Sequence, residues 1–91
     1  MWYLMDLKID KDRKSCFIGD KEIILTRVEY NLLNLFVDNK NKVLNRREIA
    51  NAVWDTKVSD RTVDAVVSRL RKKLQGIDLK TRTGFGYGLL E

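Results

Sequence analysis

Residues 60–74 read DRTVDAVVSRLRKKL, and this stretch decides how the rest of the chain is arranged. Its apolar residues recur every three or four positions, which is the spacing of a helix with one buried face. The members of this apolar stripe are Val63, Val66, Val67, Leu70 and Leu74. The opposite face centres on Arg61, Ala65, Ser68 and Lys72. The stretch therefore predicts an amphipathic helix with a core-facing side and a basic side.

The excess positive charge of the chain is concentrated in and after this helix. The 91 residues have a net charge of +5, and residues 61–82 alone hold seven cationic side chains against two acidic ones. Such a concentration is typical of a site that binds a polyanion, although a basic helix face is also often merely solvated. Because small Ala65 and Ser68 lie between long cations, this face has the shape of a helix that enters a DNA major groove.

Residue content argues against several classes of protein. No apolar run approaches the roughly 20 residues that cross a bilayer, and no signal peptide is recognisable, so we expect a cytoplasmic chain without a membrane segment. Histidine is absent and Cys16 is the single cysteine, so we expect no metal, no cofactor and no internal disulfide. Cys16 is expected to be buried in a strand. The chain lacks a nucleophile beside a base and a recognisable carboxylate pair, so we expect no enzymatic activity.

The chain divides into three consecutive parts of one predicted domain, residues 1–91. Residues 1–25 alternate short apolar runs with charged turns, which predicts three or four antiparallel strands. Residues 26–75 predict three helices, at about 27–38, 46–54 and 60–74. Residues 77–91 predict a hairpin with strands at 77–80 and 85–90 and a turn near Thr83 and Gly84.

Local signals predict where the helices begin. Thr26 with Glu29, and Asn45 with Glu48, have the spacing of a capping box. The third helix is expected to be capped by Ser59 or Asp60. The two residues after the first interhelical loop, Val43 and Leu44, are expected to enter the core.

The glycine-rich segment GFGYG at residues 84–88 allows two interpretations. A dinucleotide-binding loop follows a strand and opens a helix, but only three residues follow Gly88. The glycines are instead expected to permit a tight hairpin and a close approach to another backbone. The predicted fold is an α+β winged helix-turn-helix with an N-terminal antiparallel sheet, three helices and a C-terminal β-hairpin wing.

Four segments, in this order, resemble one protein family. They are ILTRVEYNLLNLF at 24–36, VLNRREIANAVW at 43–54, DRTVDAVVSRLRKKL at 60–74 and TRTGFGYGLL at 81–90. Together they resemble the C-terminal DNA-binding domains of OmpR/PhoB-type response regulators and of the related ToxR/CadC-type membrane-anchored regulators. The resemblance implies a bacterial transcription regulator that binds a specific double-stranded DNA sequence, with helix 60–74 in the major groove and wing 81–88 near the minor groove.

The resemblance also implies roles for single residues. Arg69 is expected to read a base, because its planar fork fits guanine O6 and N7, and Ala65 and Thr62 are expected to contact bases as well. The residues expected to contact phosphates are Trp54, Arg61, Ser68, Arg71, Lys72, Thr81 and Tyr87. The wing residues expected near the minor groove are Arg82, Thr83, Gly84 and Gly86. A core position between helices is an equally good interpretation of Trp54.

Three features depart from the family pattern. The wing reads TRTG at 81–84 where the family commonly has Thr-Val-Arg-Gly, so Arg82 is displaced by one residue and, in a strand, to the other face. Either Arg82 reaches the minor groove through a different hairpin geometry, or the wing contributes little. The turn between the second and third helices is short, which is closer to the ToxR/CadC branch and weakens the expected contact with RNA polymerase. No receiver domain is present, so we expect a free-standing regulator or a part of a longer one.

A protein-binding winged helix is the alternative function. Such a module would expose aromatic or aliphatic side chains on helix 60–74, whereas this face carries Arg, Ala, Ser and Lys, which favours DNA. Because one recognition helix reads few base pairs, we expect a homodimer on DNA. Membership of the ToxR/CadC branch would place the domain at the cytoplasmic face of the inner membrane.

Overall fold

The computed structural model describes residues 2–4 and 6–90. The four N-terminal strands are β1 Trp2–Leu4, β2 Leu7–Asp10, β3 Ser15–Ile18 and β4 Lys21–Glu22. The three helices are α1 Arg27–Asp38, α2 Arg46–Val53 and α3 Asp60–Lys73, and the last two strands are β5 Leu79–Arg82 and β6 Gly86–Leu89. This order is the predicted α+β winged helix-turn-helix. The predicted N-terminal strand region also included Met1 and Met5, and the predicted wing included Glu91; these three residues lie outside the described residues.

The N-terminal strands form one antiparallel sheet in the order β1-β2-β3-β4. Leu7 and Ile9 of β2 are fully buried, as the two-residue period of a strand predicts for one face. Cys16 pairs with Ile9 across the ladder and is buried beside it. Burial raises the pKa of the Cys16 thiol to about 11, so the thiol keeps its proton near neutral pH. The expectation of a buried strand cysteine is confirmed.

Side-chain caps fix the starts of all three helices. Thr26 Oγ1 accepts from the Glu29 backbone N–H at 3.2 Å, while Glu29 Oε1 accepts from the Thr26 N–H at 2.9 Å. Asn45 and Glu48 form the same reciprocal pair at the start of α2. Ser59 caps α3 by accepting a backbone N–H of the first turn at 3.2 Å. The predicted helix ends are correct to within one residue.

The turn of the C-terminal hairpin lies at Thr83 and Gly84 as predicted, but the strand bounds differ from the predicted ones. Strand β5 begins two residues later than expected and runs through Arg82, which pairs with Gly86. The turn is closed by the Phe85 N–H, which donates to the Arg82 carbonyl oxygen at 2.9 Å. Phe85, predicted to be a strand residue, therefore lies in the turn with 76% of its surface exposed. The prediction was wrong here because Gly84, at a φ of 83°, reverses the chain in a way that side-chain alternation does not specify.

A short segment at Leu44 pairs with β6 on the side away from β5. Leu44 and Tyr87 exchange two backbone hydrogen bonds, of 2.8 and 3.0 Å. Leu44 is buried as predicted, but Val43 is 37% exposed, so the prediction that both enter the core was wrong. Neighbouring residues of an extended segment point to opposite sides, and only one of the two can face inward.

One core joins the sheet, the helices and the hairpin. Helix α1 lies at its centre and contributes Leu32, Leu33 and Phe36, each at most 2% exposed. The other buried apolar residues of this core come from β2, β3, all three helices and the C-terminal hairpin with the segments beside them, and they are Leu7, Ile9, Cys16, Tyr30, Val37, Leu44, Ile49, Val63, Val66, Val67, Leu70, Leu74, Ile77, Leu79, Tyr87 and Leu89. Because α3 and β6 share this core, the third helix and the C-terminal hairpin are packed on one support.

Gly86→Ala is expected to destabilise the fold more than Gly84→Ala does. Both glycines have positive φ, 141° and 83°, so either alanine is strained by roughly 1 kcal/mol or more. A Cβ at Gly86 would also overlap the backbone carbonyl of Leu44, whereas one at Gly84 has nothing within 4 Å. Urea unfolding followed by circular dichroism measures both variants. Equal losses of unfolding free energy would contradict the close approach at Gly86.

Candidate nucleic-acid interface

Helix α3 presents the two faces that its sequence predicts. Val63, Val66, Val67 and Leu70 are buried, with Leu74 buried directly after the helix. The opposite side consists of Arg61, Ala65, Ser68 and Lys72, all exposed, and we name these four residues the outer face. The helix is therefore fixed by its inner side and free on its outer side.

A cluster of four side chains, Arg46, Asp64, Arg71 and Tyr87, connects the wing to α2 and α3; we name it the Tyr87 cluster. Arg46 of α2 binds both carboxylate oxygens of Asp64, with Nε–Oδ1 at 2.8 Å and Nη2–Oδ2 at 3.2 Å. The Tyr87 hydroxyl donates to the same Oδ1. The guanidinium carbons of Arg46 and Arg71 lie 5.9 and 5.7 Å from the centre of the Tyr87 ring, within cation–π range.

The protonation states in the Tyr87 cluster follow from these contacts. Hydrogen bonds from Arg46 and from Tyr87 outweigh burial and hold the pKa of Asp64 below its usual value. Burial, together with the hydrogen bond to Asp64, raises the pKa of Tyr87. At neutral pH Asp64 is therefore an anion and Tyr87 a neutral phenol that donates to it.

Arg71 and Tyr87, two of the predicted phosphate-contacting residues, have structural partners. Arg71 donates through Nε to the Leu79 carbonyl and through Nη2 to Thr81 Oγ1, both at 2.9 Å. These bonds hold β5 against α3, and Tyr87 itself is only 8% exposed. Sequence inspection missed the cluster because Arg46 and Asp64 are 18 residues apart and no local pattern pairs them.

A second cluster, formed by Thr26, Glu29, Arg69 and Lys73, connects α1 to α3; we name it the Glu29 cluster. Glu29 is 1% exposed although it is charged. Its Oε1 accepts from Lys73 Nζ at 2.7 Å and from the Thr26 N–H at 2.9 Å. Its Oε2 lies 3.7 Å from Nε of Arg69. Burial acts to raise the pKa of Glu29, but the bonds from Lys73 and Thr26 outweigh it, so the pKa is lowered and the carboxylate stays ionised.

Two cations of α3 contact Glu29 in different ways: Lys73 is hydrogen-bonded to it, and Arg69 lies beside it but stays mostly exposed. Lys73 also donates to the Ile24 carbonyl at 3.1 Å, so its ammonium group is bound within the domain although 37% of the side chain is exposed. Arg69 keeps 62% of its side chain exposed. The capping pattern predicted the bond of Glu29 to Thr26, but it did not predict the ion pair with Lys73, which lies 44 residues further on.

The outer face keeps its own cations free. In the part of the chain that the structure describes, Arg61 and Lys72 form no ion pair and no side-chain hydrogen bond. Thr62 lies beside them at the start of α3, half-exposed, with its hydroxyl 3.1 Å from that of Ser59. The predicted contact residues Arg61, Thr62, Ala65 and Ser68 thus lie together on one accessible surface.

The tip of the wing is exposed at Arg82, Thr83 and Gly84. Thr81 faces α3, because its hydroxyl accepts from Arg71. Since successive strand residues point to opposite faces, Arg82 leaves the strand on the other side, as its displaced position predicts. Gly86, by contrast, is buried against the Leu44 backbone. The structure therefore separates the wing residues into an exposed tip and a buried base.

Trp54 occupies the end of α2 and is half-buried. It packs partly against the core and also lines a surface groove of about 640 Å³, which includes Asn51, Lys57 and Asp60. A half-buried indole is compatible with both interpretations of Trp54, as a core residue and as a phosphate contact.

Within residues 2–4 and 6–90, no group of three or more Cys, Asp or Glu side chains is arranged to hold a metal ion. None of the helices α1 to α3 has both the length and the apolar character needed to cross a bilayer.

Comparison with known proteins assigns the family. Residues 20–89 match the family described as "Transcriptional regulatory protein, C terminal". The chain belongs to this family. The transcriptional regulatory protein VxrB of Vibrio cholerae is 38% identical over 84 residues, which cover 90% of this chain and 34% of VxrB. The chain thus spans about a third of the length of this relative.

Solved structures of response regulators share the fold. The DNA-binding domain of the response regulator AdeR, solved in complex with an intercistronic region, has a TM-score of 0.88 and 33% identity over 98% of both chains. DrrB, an OmpR/PhoB homologue from Thermotoga maritima, has a TM-score of 0.91 and 32% identity, covering 99% of this chain and 44% of DrrB. The OmpR/PhoB-type resemblance and the winged-helix fold are confirmed.

Asp64→Asn is expected to make folding less sensitive to acid. Because the native pKa of Asp64 is lowered, its carboxylate stabilises the fold above the unfolded pKa of about 3.9. This contribution is lost as the pH falls through the lower native pKa, so the variant should lose less unfolding free energy below about pH 4. Urea unfolding across an acid pH series measures the slope. Tyr87→Phe removes one donor but keeps the carboxylate, and its slope should be intermediate; a wild-type slope in both variants would contradict this account.

Proposed function

We propose that the chain is a sequence-specific double-stranded DNA-binding domain of a bacterial transcription regulator, with α3 in the major groove. The observation that carries this proposal is the outer face of α3, where Ala65 and Ser68 lie between the free cations Arg61 and Lys72. A groove about 12 Å wide admits a helix whose central side chains are short. Cations at the rim then meet the phosphates that border the groove.

The proposed roles of single residues follow from the family resemblance and from which side chains are exposed. Arg69 reads a base, because its exposed planar fork fits a purine edge, and Ala65 and Thr62 lie against neighbouring base edges. The phosphate contacts come from Trp54, Arg61, Ser68, Arg71, Lys72, Thr81 and Tyr87. Arg61 and Lys72 are the best placed of these, since Arg71 and Tyr87 already serve in the Tyr87 cluster.

The wing lies near the minor groove and supports the placement of α3. Its exposed residues are Arg82, Thr83 and Gly84, and Gly86 lets the hairpin approach the Leu44 backbone. Arg82 leaves the strand on the side opposite Thr81. Its proposed contribution is electrostatic attraction to the phosphates of the DNA backbone. Sequence discrimination then rests on α3.

Other partners belong to the same proposal. A single recognition helix covers one half-site, so two copies bind an operator as a homodimer on DNA. The short turn at residues 54–59 is the segment through which contact with RNA polymerase is proposed. DNA binding in a bacterial cell places the domain in the cytoplasm, and no enzymatic activity is required.

A protein-binding module is disfavoured by where apolar side chains are exposed. Among residues 6–90, Ile24, Val43 and Phe85 are the large exposed hydrophobic residues, and none of them lies on α3. A helix that bound a protein through its outer face would present such side chains there.

Arg69→Ala is expected to weaken binding to the preferred DNA sequence by about 1–3 kcal/mol and to relax preference at one base pair. Arg61→Ala is the matched control, because it removes an arginine of the same helix that faces phosphates rather than bases, and it should weaken all sequences alike. Selection from a random DNA pool identifies the target, and fluorescence anisotropy on single-base variants measures both proteins. Equal losses on target and random DNA for both variants would refute the assignment of Arg69.

Binding is expected to weaken steeply with salt. Each neutralised phosphate contributes about 0.9 to the slope of log affinity against log salt concentration. Arg61→Ala should lower this slope by about 1, since it removes one such contact. Titrations at several salt concentrations give the slope directly, and a salt-insensitive complex would support the protein-binding alternative.

A further inference from the structure

We propose that Glu29 is a positioning residue for base recognition, and this inference rests on the proposed DNA-binding function. Its buried carboxylate holds Arg69 so that the outer edge of the guanidinium is presented to a base. Glu29 belongs to α1, which has no proposed contact with DNA, so the effect is exerted through Arg69 alone.

The two oxygens of Glu29 have separate uses. Oε1 is occupied by Lys73 Nζ at 2.7 Å and by the Thr26 N–H at 2.9 Å. These two bonds fix the carboxylate in the interface between α1 and α3. Oε2 is left toward Arg69, at 3.7 Å from its Nε. The arginine therefore faces an anion whose own position is set by other residues.

The geometry leaves the reading edge of Arg69 available. Nε is the guanidinium nitrogen bonded to the aliphatic part of the side chain. An anion at Nε therefore leaves the terminal nitrogens Nη1 and Nη2 for a bidentate contact with a base. The Glu29 side chain is 2% exposed, whereas the Arg69 side chain is 62% exposed. The carboxylate is therefore buried, and the guanidinium that it contacts is accessible to solvent. Restricting the arginine before binding reduces the conformational entropy that is lost when it meets a base.

Stability alone does not account for the Arg69 contact. An ion pair whose cation is mostly exposed contributes little to folding, and Lys73 already neutralises the Glu29 carboxylate at close range. Lys73 and Arg69 thus have different functions at Glu29. Lys73 ties α3 to α1, whereas Arg69 is positioned by the carboxylate that this tie fixes.

The test measures base preference rather than affinity alone. Glu29→Gln keeps the volume and the capping acceptor but removes the charge that faces Arg69. The ratio of affinity for the selected target to affinity for random DNA should fall about threefold to tenfold, at the same base pair that Arg69→Ala affects. Affinity for random DNA should not fall, because the variant is one charge more positive. In an Arg69→Ala background, Glu29→Gln should leave base preference unchanged.

Two further variants separate positioning from structure. Asp38→Asn changes the net charge equally on the same helix, at an exposed carboxylate paired with Lys11, and should keep the wild-type ratio. If Glu29→Gln does not fold, as judged by circular dichroism, Glu29→Asp withdraws the carboxylate from Arg69 while keeping the charge, and it should show the same loss of preference.

Three outcomes overturn the inference. If Arg69→Ala relaxes one base pair and Glu29→Gln does not, the positioning role is wrong while the proposed function stands. If Glu29→Gln weakens target and random DNA equally, its effect is structural. If the wild-type domain selects no sequence from the pool, the proposed function fails and this inference fails with it.

Discussion

The Asp64 carboxylate is the point at which hydrogen bonds join α2, α3 and the wing beyond the core that they share. It belongs to α3, accepts two bonds from Arg46 of α2 and accepts another from Tyr87 of β6. Each bond is partly exposed and modest by itself. Their convergence on one small anion is what matters, because three elements that are separated in sequence meet at a defined distance. Arg71 extends the same connection to β5.

The structure shows that part of the positive charge of the basic segment is used in contacts within the domain. The basic segment 61–82 accounts for the whole excess of positive charge, yet several of its cations are used internally. Lys73 neutralises a buried carboxylate, Arg71 holds the hairpin, and Lys80 pairs with Asp78 at 3.6 Å. Fewer of these cations are therefore available on the surface than the sequence implies, and the exposed arginines and lysine that remain are Arg61, Arg69, Lys72 and Arg82.

Features encoded locally could be predicted from the sequence, and features that depend on distant pairings could not. The capping pairs at Thr26 and Asn45 and the apolar stripe of α3 act within a few residues, so helix positions and the outer face followed from them. The hairpin register depends on where Gly84 reverses the chain and on the pairing of β6 with Leu44. The two charge clusters depend on the packing of helices, which no local spacing reveals. Family resemblance supplied residue roles, but not the internal partners of Arg71.

Strand β6 has backbone partners on both sides, β5 on one and the Leu44 segment on the other, whereas among the described residues β5 has a strand partner on one side only. An unpaired strand edge can recruit a strand from another molecule and so begin aggregation. Here that edge is four residues long and carries Lys80 and Arg82, and both the shortness and the like charges oppose such pairing. The same cations that favour a polyanion thus also protect the domain from sheet extension at high concentration.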